Sequence, residues 1–152
     1  MRKLNKVWGA AVLVASAALA GCATVEEAIV EKTSKTYNAT LTGAQEPGGA
    51  GDPDGAARAE VSVADNLGQI CYDVNGIRNI GTVTAAHIHR GRPGVNGPPV
   101  LTLERANEGG FKGCTGAPEW LQEAIDDRFR SFYINLHTAE YPNGAIRGQL
   151  GN

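Results

Sequence analysis

Short alternating runs decide what this sequence can become. Ala57-Arg58-Ala59-Glu60-Val61-Ser62-Val63 sets small or β-branched residues at every second position, and side chains spaced by two share one face of a strand. Residues 37–41 alternate in the same way, as do residues 70–74 after the turn Asn66-Leu67-Gly68. Residues 82–89, 100–103, 132–138 and 145–150 read as further strands. Gly, Pro, Asn and Asp fill the intervals, as tight turns require. The 152 residues include 20 Gly and 7 Pro, above the ordinary level but below that of a disordered low-complexity chain. Several short strands at regular spacing predict an all-β fold with antiparallel pairing, a sandwich or a barrel. One helix interrupts them. Residues 118–129 open on a proline suited to a first turn and carry Trp120, Leu121, Ala124, Ile125 and Phe129 at helical spacing, which predicts core packing. The loop of residues 46–55 contains Asp-Pro-Asp-Gly but none of the later ligands of a calcium loop, so it reads as a long β-connection.

The start of the chain has a different character. Arg2, Lys3 and Lys6 precede an uncharged stretch, residues 7–20, rich in Ala, Val and Leu. That length suits a signal-peptide core and is short for a spanning helix. It ends in Leu19-Ala20-Gly21-Cys22, which resembles the bacterial lipobox. The resemblance implies removal of residues 1–21 as a lipoprotein signal peptide and lipidation of Cys22. Ala23 in place of Asp favours the outer membrane within the cell envelope. Residues 22–36 then form a polar tether, and the partner at this end is the membrane, through the acyl chains. Loss of three cations leaves 11 basic against 16 acidic residues, a net charge of −5. That balance gives no support to nucleic-acid binding.

Two cysteines remain, Cys71 and Cys114, with no CxxC spacing. In an oxidising compartment a disulfide between them is the expected state, removing roughly 3–4 kcal/mol of loop-closure entropy in the chain-entropy account. Free thiols or soft metal ligands are the alternative.

The histidines carry the chemistry. His87 and His89 share one face of their strand, with Ile88 on the other. In residues 132–138, Phe132, Ile134 and Leu136 form the apolar face, leaving Tyr133, Asn135 and His137 opposite. If Ile88 joins that core and the two strands are neighbours, the imidazoles of His87, His89 and His137 converge on one side of the sheet. Neutral imidazole is the commonest metal ligand, and three of them with an open position suit copper or zinc. Strand histidines also serve as ordinary hydrogen-bonding groups. With Arg90, Arg92, Tyr133, Asn135 and Arg147 they would then form a polar binding or hydrogen-bonded face. Glu46 and Glu140 are candidates only by nearness to these motifs, and no nucleophile elbow, phosphate loop or paired carboxylate motif is present.

Thr42-Gly43-Ala44-Gln45-Glu46, then Ala85-Ala86-His87-Ile88-His89-Arg90-Gly91 through Gly94-Val95-Asn96-Gly97-Pro98, then Asn135-Leu136-His137-Thr138 and Tyr141-Pro142-Asn143-Gly144-Ala145-Ile146-Arg147-Gly148-Gln149-Leu150 together resemble the CHRD domain, named from chordin. Residues 37–151 would form that domain. Ala145 stands where an acidic residue is common, and the two cysteines look like additions to the pattern. The resemblance implies an immunoglobulin-like or Cu/Zn-superoxide-dismutase-like antiparallel β-sandwich and assigns no reaction. A looser similarity to the copper side of those dismutases stops at the ligand count, because three histidines cannot build a bridged copper–zinc pair. The expected function is therefore a lipid-anchored, non-enzymatic binding or structural module with an envelope protein or ligand as partner, an exposed strand edge being one means of contact. A copper- or zinc-binding protein using the three histidines is the alternative.

Overall fold

The structure is a computed structural model that describes residues 34–151. Cys22, the apolar stretch before it and most of the tether lie outside the described residues. Eight strands follow in chain order: β1 (Lys35–Thr42), β2 (Ala56–Ala64), β3 (Gln69–Arg78), β4 (Val83–Arg90), β5 (Pro99–Thr102), β6 (Phe111–Gly116), β7 (Phe132–Thr138) and β8 (Ile146–Gln149). Among the described residues one α-helix, α1 (Glu119–Arg128), lies between β6 and β7. The all-β, antiparallel class with one helix is as the alternation predicts.

The strands join in one curled sheet of order β5-β4-β7-β8-β1-β2-β3-β6. It is narrowest between β8 and β1, where Thr42 pairs with Arg147 and an isolated bridge joins Asn38 to Gly151. One core draws on both halves, with Leu41, Val61, Ile70 and Val74 packed in the same cluster as Ile88, Ile134, Leu136 and Ile146. These are the residues that alternation assigns to the inner face. The chain leaving β5 makes an isolated bridge from Arg105 to Phe111 of β6. The two edge strands of the sheet are thereby linked through one connection.

Strand β6 is absent from the sequence expectation. Gly113 and Gly116 leave Phe111-Lys112-Gly113-Cys114-Thr115-Gly116 without a continuous apolar face, and its strand character comes from pairing with β3. Cys71 and Cys114 sit directly opposite in that pairing and form a disulfide.

Helix α1 corrects one detail. Leu121 and Ile125 are buried and Ala124 and Phe129 pack against the core, but Trp120 is 53% exposed. Successive residues on a helix point about 100° apart, so a stripe centred on Leu121 and Ile125 turns Trp120 outward. The helix is tied to β1 where the Tyr37 hydroxyl donates to Asp126 Oδ1 at 2.7 Å. Among the described residues no helix is long and apolar enough to cross a membrane.

Candidate metal centre

The site stands on β4, β7 and β8, three adjacent strands. Register sets Ile88 against Ile134 and Ala86 against Leu136 on the core side, which leaves His87 opposite Asn135 and His89 opposite Tyr133 on the other. Next to them Asn135 pairs with Arg147 and Tyr133 with Gln149. The condition set by the sequence, that the two histidine strands be neighbours, is met.

Three connections cover this face. The first, between β1 and β2, brings Glu46 to accept from Asn135 Nδ2 at 2.8 Å. The second, between β4 and β5, supplies the carbonyls of Arg92 and Val95 to the Arg147 guanidinium, at 2.8 and 3.1 Å. The third, between β7 and β8, places the Pro142 carbonyl 3.0 Å from His137 Nδ1. Beneath these lids Tyr133, Asn135 and Arg147 are almost fully buried. They lie beside the histidines as a hydrogen-bonded layer. Arg90 is exposed and on the core-side parity of β4, away from them.

The Tyr133 ring packs against two flat side chains. His89 stacks on it with centroids 4.8 Å apart and planes 11° apart, and the Arg147 guanidinium carbon is 3.4 Å from its centroid. His89 Nδ1 is 2.9 Å from the Gly97 carbonyl oxygen. A carbonyl oxygen only accepts, so Nδ1 of His89 and of His137 each carry the hydrogen. In the neutral rings both Nε2 atoms are then lone-pair donors to a metal. Such backbone contacts are how ligating imidazoles are commonly oriented.

His89 Nε2 is buried and has no hydrogen-bond partner. His87 Nδ1 and His137 Nε2 face one another at 3.3 Å. Two nitrogens bound tetrahedrally to one zinc at ~2.0–2.1 Å would lie about 3.3 Å apart. One ligand atom from each of the three histidines lies within 4.8 Å of the others. To reach the tetrahedral spacing of about 3.3 Å, the widest pair must close by up to about 1.5 Å. Burial, then the neighbouring His137 and His89, pushes the His87 pKa down. Burial also lowers that of His89, against the opposing hydrogen bond to Gly97 and with help from His137 and Arg147. Both shifts favour the neutral, ligating ring.

Glu46 is the residue whose place in the site the sequence shows least. It is 5% exposed, and burial raises its pKa to about 7 although Arg147 and the Asn135 hydrogen bond pull the other way. Its only signal in the sequence is its place in the Gly43-Ala44-Gln45-Glu46 motif. Glu140 lines a surface cavity with Glu46 but is itself exposed.

The family model of the CHRD domain matches residues 37–150. No curated protein and no solved structure matches the chain.

Proposed function

This chain belongs to the CHRD domain family, and from that membership, which brings no reaction with it, we propose that the protein is a lipid-anchored copper- or zinc-binding module of the cell envelope. The buried, partnerless Nε2 of His89 carries the reading. An unpaired buried acceptor costs about 1–3 kcal/mol, and an ion shared with His87 and His137 would satisfy it. The role is binding. Beside the histidines Arg147 is committed to the carbonyls of Arg92 and Val95, and Asn135 Nδ2 to Glu46.

The test is elemental analysis of protein purified without a histidine tag and reconstituted with copper or zinc. One ion per chain is expected, lost in His87→Ala, His89→Ala and His137→Ala. No stoichiometric metal on the intact protein overturns the reading.

The anchor is supported by the sequence alone: the basic start, the apolar run and Cys22 in its Leu-Ala-Gly-Cys box. It would hold the module at the outer membrane, free to meet an envelope partner. A Cys22→Ala variant that still takes up labelled fatty acid and stays with membranes would refute the anchor.

A further inference from the structure

Three imidazoles leave one position of a tetrahedral ion to be filled, and no fourth His, Cys, Asp or Glu joins them among the described residues. One further side chain on the same face is short of a partner. Asn135 is 2% exposed, stands opposite His87 on one side and Arg147 on the other, and precedes His137 by two residues. Its Nδ2 is committed to Glu46 Oε1 at 2.8 Å. Its Oδ1 is buried and accepts nothing. The layer thus holds two unsatisfied acceptors, His89 Nε2 and Asn135 Oδ1. A bare ion satisfies only the first.

We propose that the ion held by His87, His89 and His137 carries an exchangeable fourth ligand, a water or another small protic molecule, which donates a hydrogen bond to Asn135 Oδ1, with Glu46 as the residue that positions the amide. The inference rests on the metal reading above and adds the chemistry of the open position. Metal-bound water is polarised and a strong donor, the partner that a lone buried amide oxygen lacks. Aprotic ligands such as azide have no hydrogen to give, so Asn135 selects against them.

The amide is held in a built setting. A Cβ on Gly144 would come 2.5 Å from Glu46 Oε1 and 2.6 Å from Asn135 Nδ2. Gly144 also has φ of 141°, a conformation that side-chain-bearing residues rarely adopt. Only glycine leaves the space in which Glu46 and Asn135 meet. With Glu46 ionised, turning the amide over would set Oδ1 against a carboxylate oxygen, so the Glu46 contact then fixes which end remains for the ligand. A surface cavity of about 200 Å³ reaches this point, lined by Glu46, Asn96, Tyr141, Pro142 and Gly144 among others.

The experiment loads the full-length protein with cobalt(II), whose visible spectrum reports its ligands, and titrates azide. Wild-type protein should bind one cobalt, and azide should change the spectrum saturably but weakly. Asn135→Leu keeps the side-chain bulk and removes the acceptor. It should retain one cobalt and bind azide about tenfold more tightly, the factor expected for one hydrogen bond. Glu46→Leu, which leaves Asn135 intact, should reproduce that gain, and Glu46→Gln, which still offers an acceptor to Nδ2, should restore the wild-type affinity. Failure of the wild-type protein to take up cobalt overturns the metal reading and this inference with it. Cobalt bound one to one with a spectrum blind to azide overturns this inference alone. Equal azide affinity in wild type and in both leucine variants does the same, and either leucine variant suffices if the other does not fold.

Discussion

His89 donates from Nδ1 to the carbonyl oxygen of Gly97, 2.9 Å away and eight residues along the chain. This contact orients the most buried of the three imidazoles and pins the connection between β4 and β5 over the site. The Tyr133 hydroxyl reinforces it by accepting from Gly97 N at 3.2 Å. Gly97 also packs where no side chain fits, because a Cβ there would overlap the Arg90 carbonyl. Gly97→Ala should therefore lift the connection. We expect a stability loss of about 2–4 kcal/mol by chemical denaturation and metal binding weakened by about 10–100-fold, the usual effect of losing a contact that orients a ligand. Unchanged metal affinity would show that His89 needs no such support.

Metal should stabilise the fold by an amount that grows with the logarithm of its free concentration. At about 100 times the dissociation constant the gain is about 2.7 kcal/mol, which for a domain of this size raises Tm by on the order of 10 °C. His137 is only half-buried, so His137→Ala should cost the metal-free protein little while abolishing the shift. Calorimetry with and without zinc checks both. An equal shift in the variant would place the ion elsewhere.

Glu46 predicts a pH dependence of stability. Its folded pKa of about 7 stands above an ordinary 4.5, so the folded chain holds this proton more tightly than the unfolded one. The group's contribution is most favourable below about pH 4.5, declines as pH rises through 4.5–7, and stays lower above that. Glu46→Gln removes the decline. Metal-free variant and wild type should be alike near pH 4, and the variant should be more stable by about 3 kcal/mol at pH 8. Urea titrations of both proteins that remain parallel across this range would contradict the assignment.

Cys71→Ala/Cys114→Ala should lower stability by about 3–4 kcal/mol, from the loop-closure entropy returned to the unfolded chain. Cobalt stoichiometry and azide affinity should not change, since the disulfide joins β3 to β6 at the far end of the sheet order from β4 and β7. Loss of metal in this variant would mean that the two ends of the sheet are coupled.

How much of this is legible in the sequence follows from which interactions are periodic. Alternation fixes that Ile88 turns inward and His87 and His89 outward, and it does the same for Ile134, Leu136 and His137. It cannot say which strands are neighbours, because register is a long-range property, so convergence of the imidazoles stays conditional until β4 and β7 are seen paired. Strand β6 escapes because its glycines erase the alternation. The burial of Tyr133, Asn135 and Arg147 escapes for another reason. Their cover is irregular backbone, whose carbonyls leave no pattern in the residue types. Trp120 shows the reverse error, an apolar residue that a loose reading of the helical spacing assigns to the core and that the stripe centred on Leu121 and Ile125 turns out to solvent.

The narrow seam between β8 and β1 gives the disulfide and the histidines a shared mechanical sense. On one side of the seam a covalent bond rivets β3 to β6. On the other, an ion would clasp β4 to β7, joining positions 50 residues apart. Each fastener secures one flank. A reductant and a chelator would therefore loosen opposite flanks of the same sheet, leaving the module with two separate ways to be held shut.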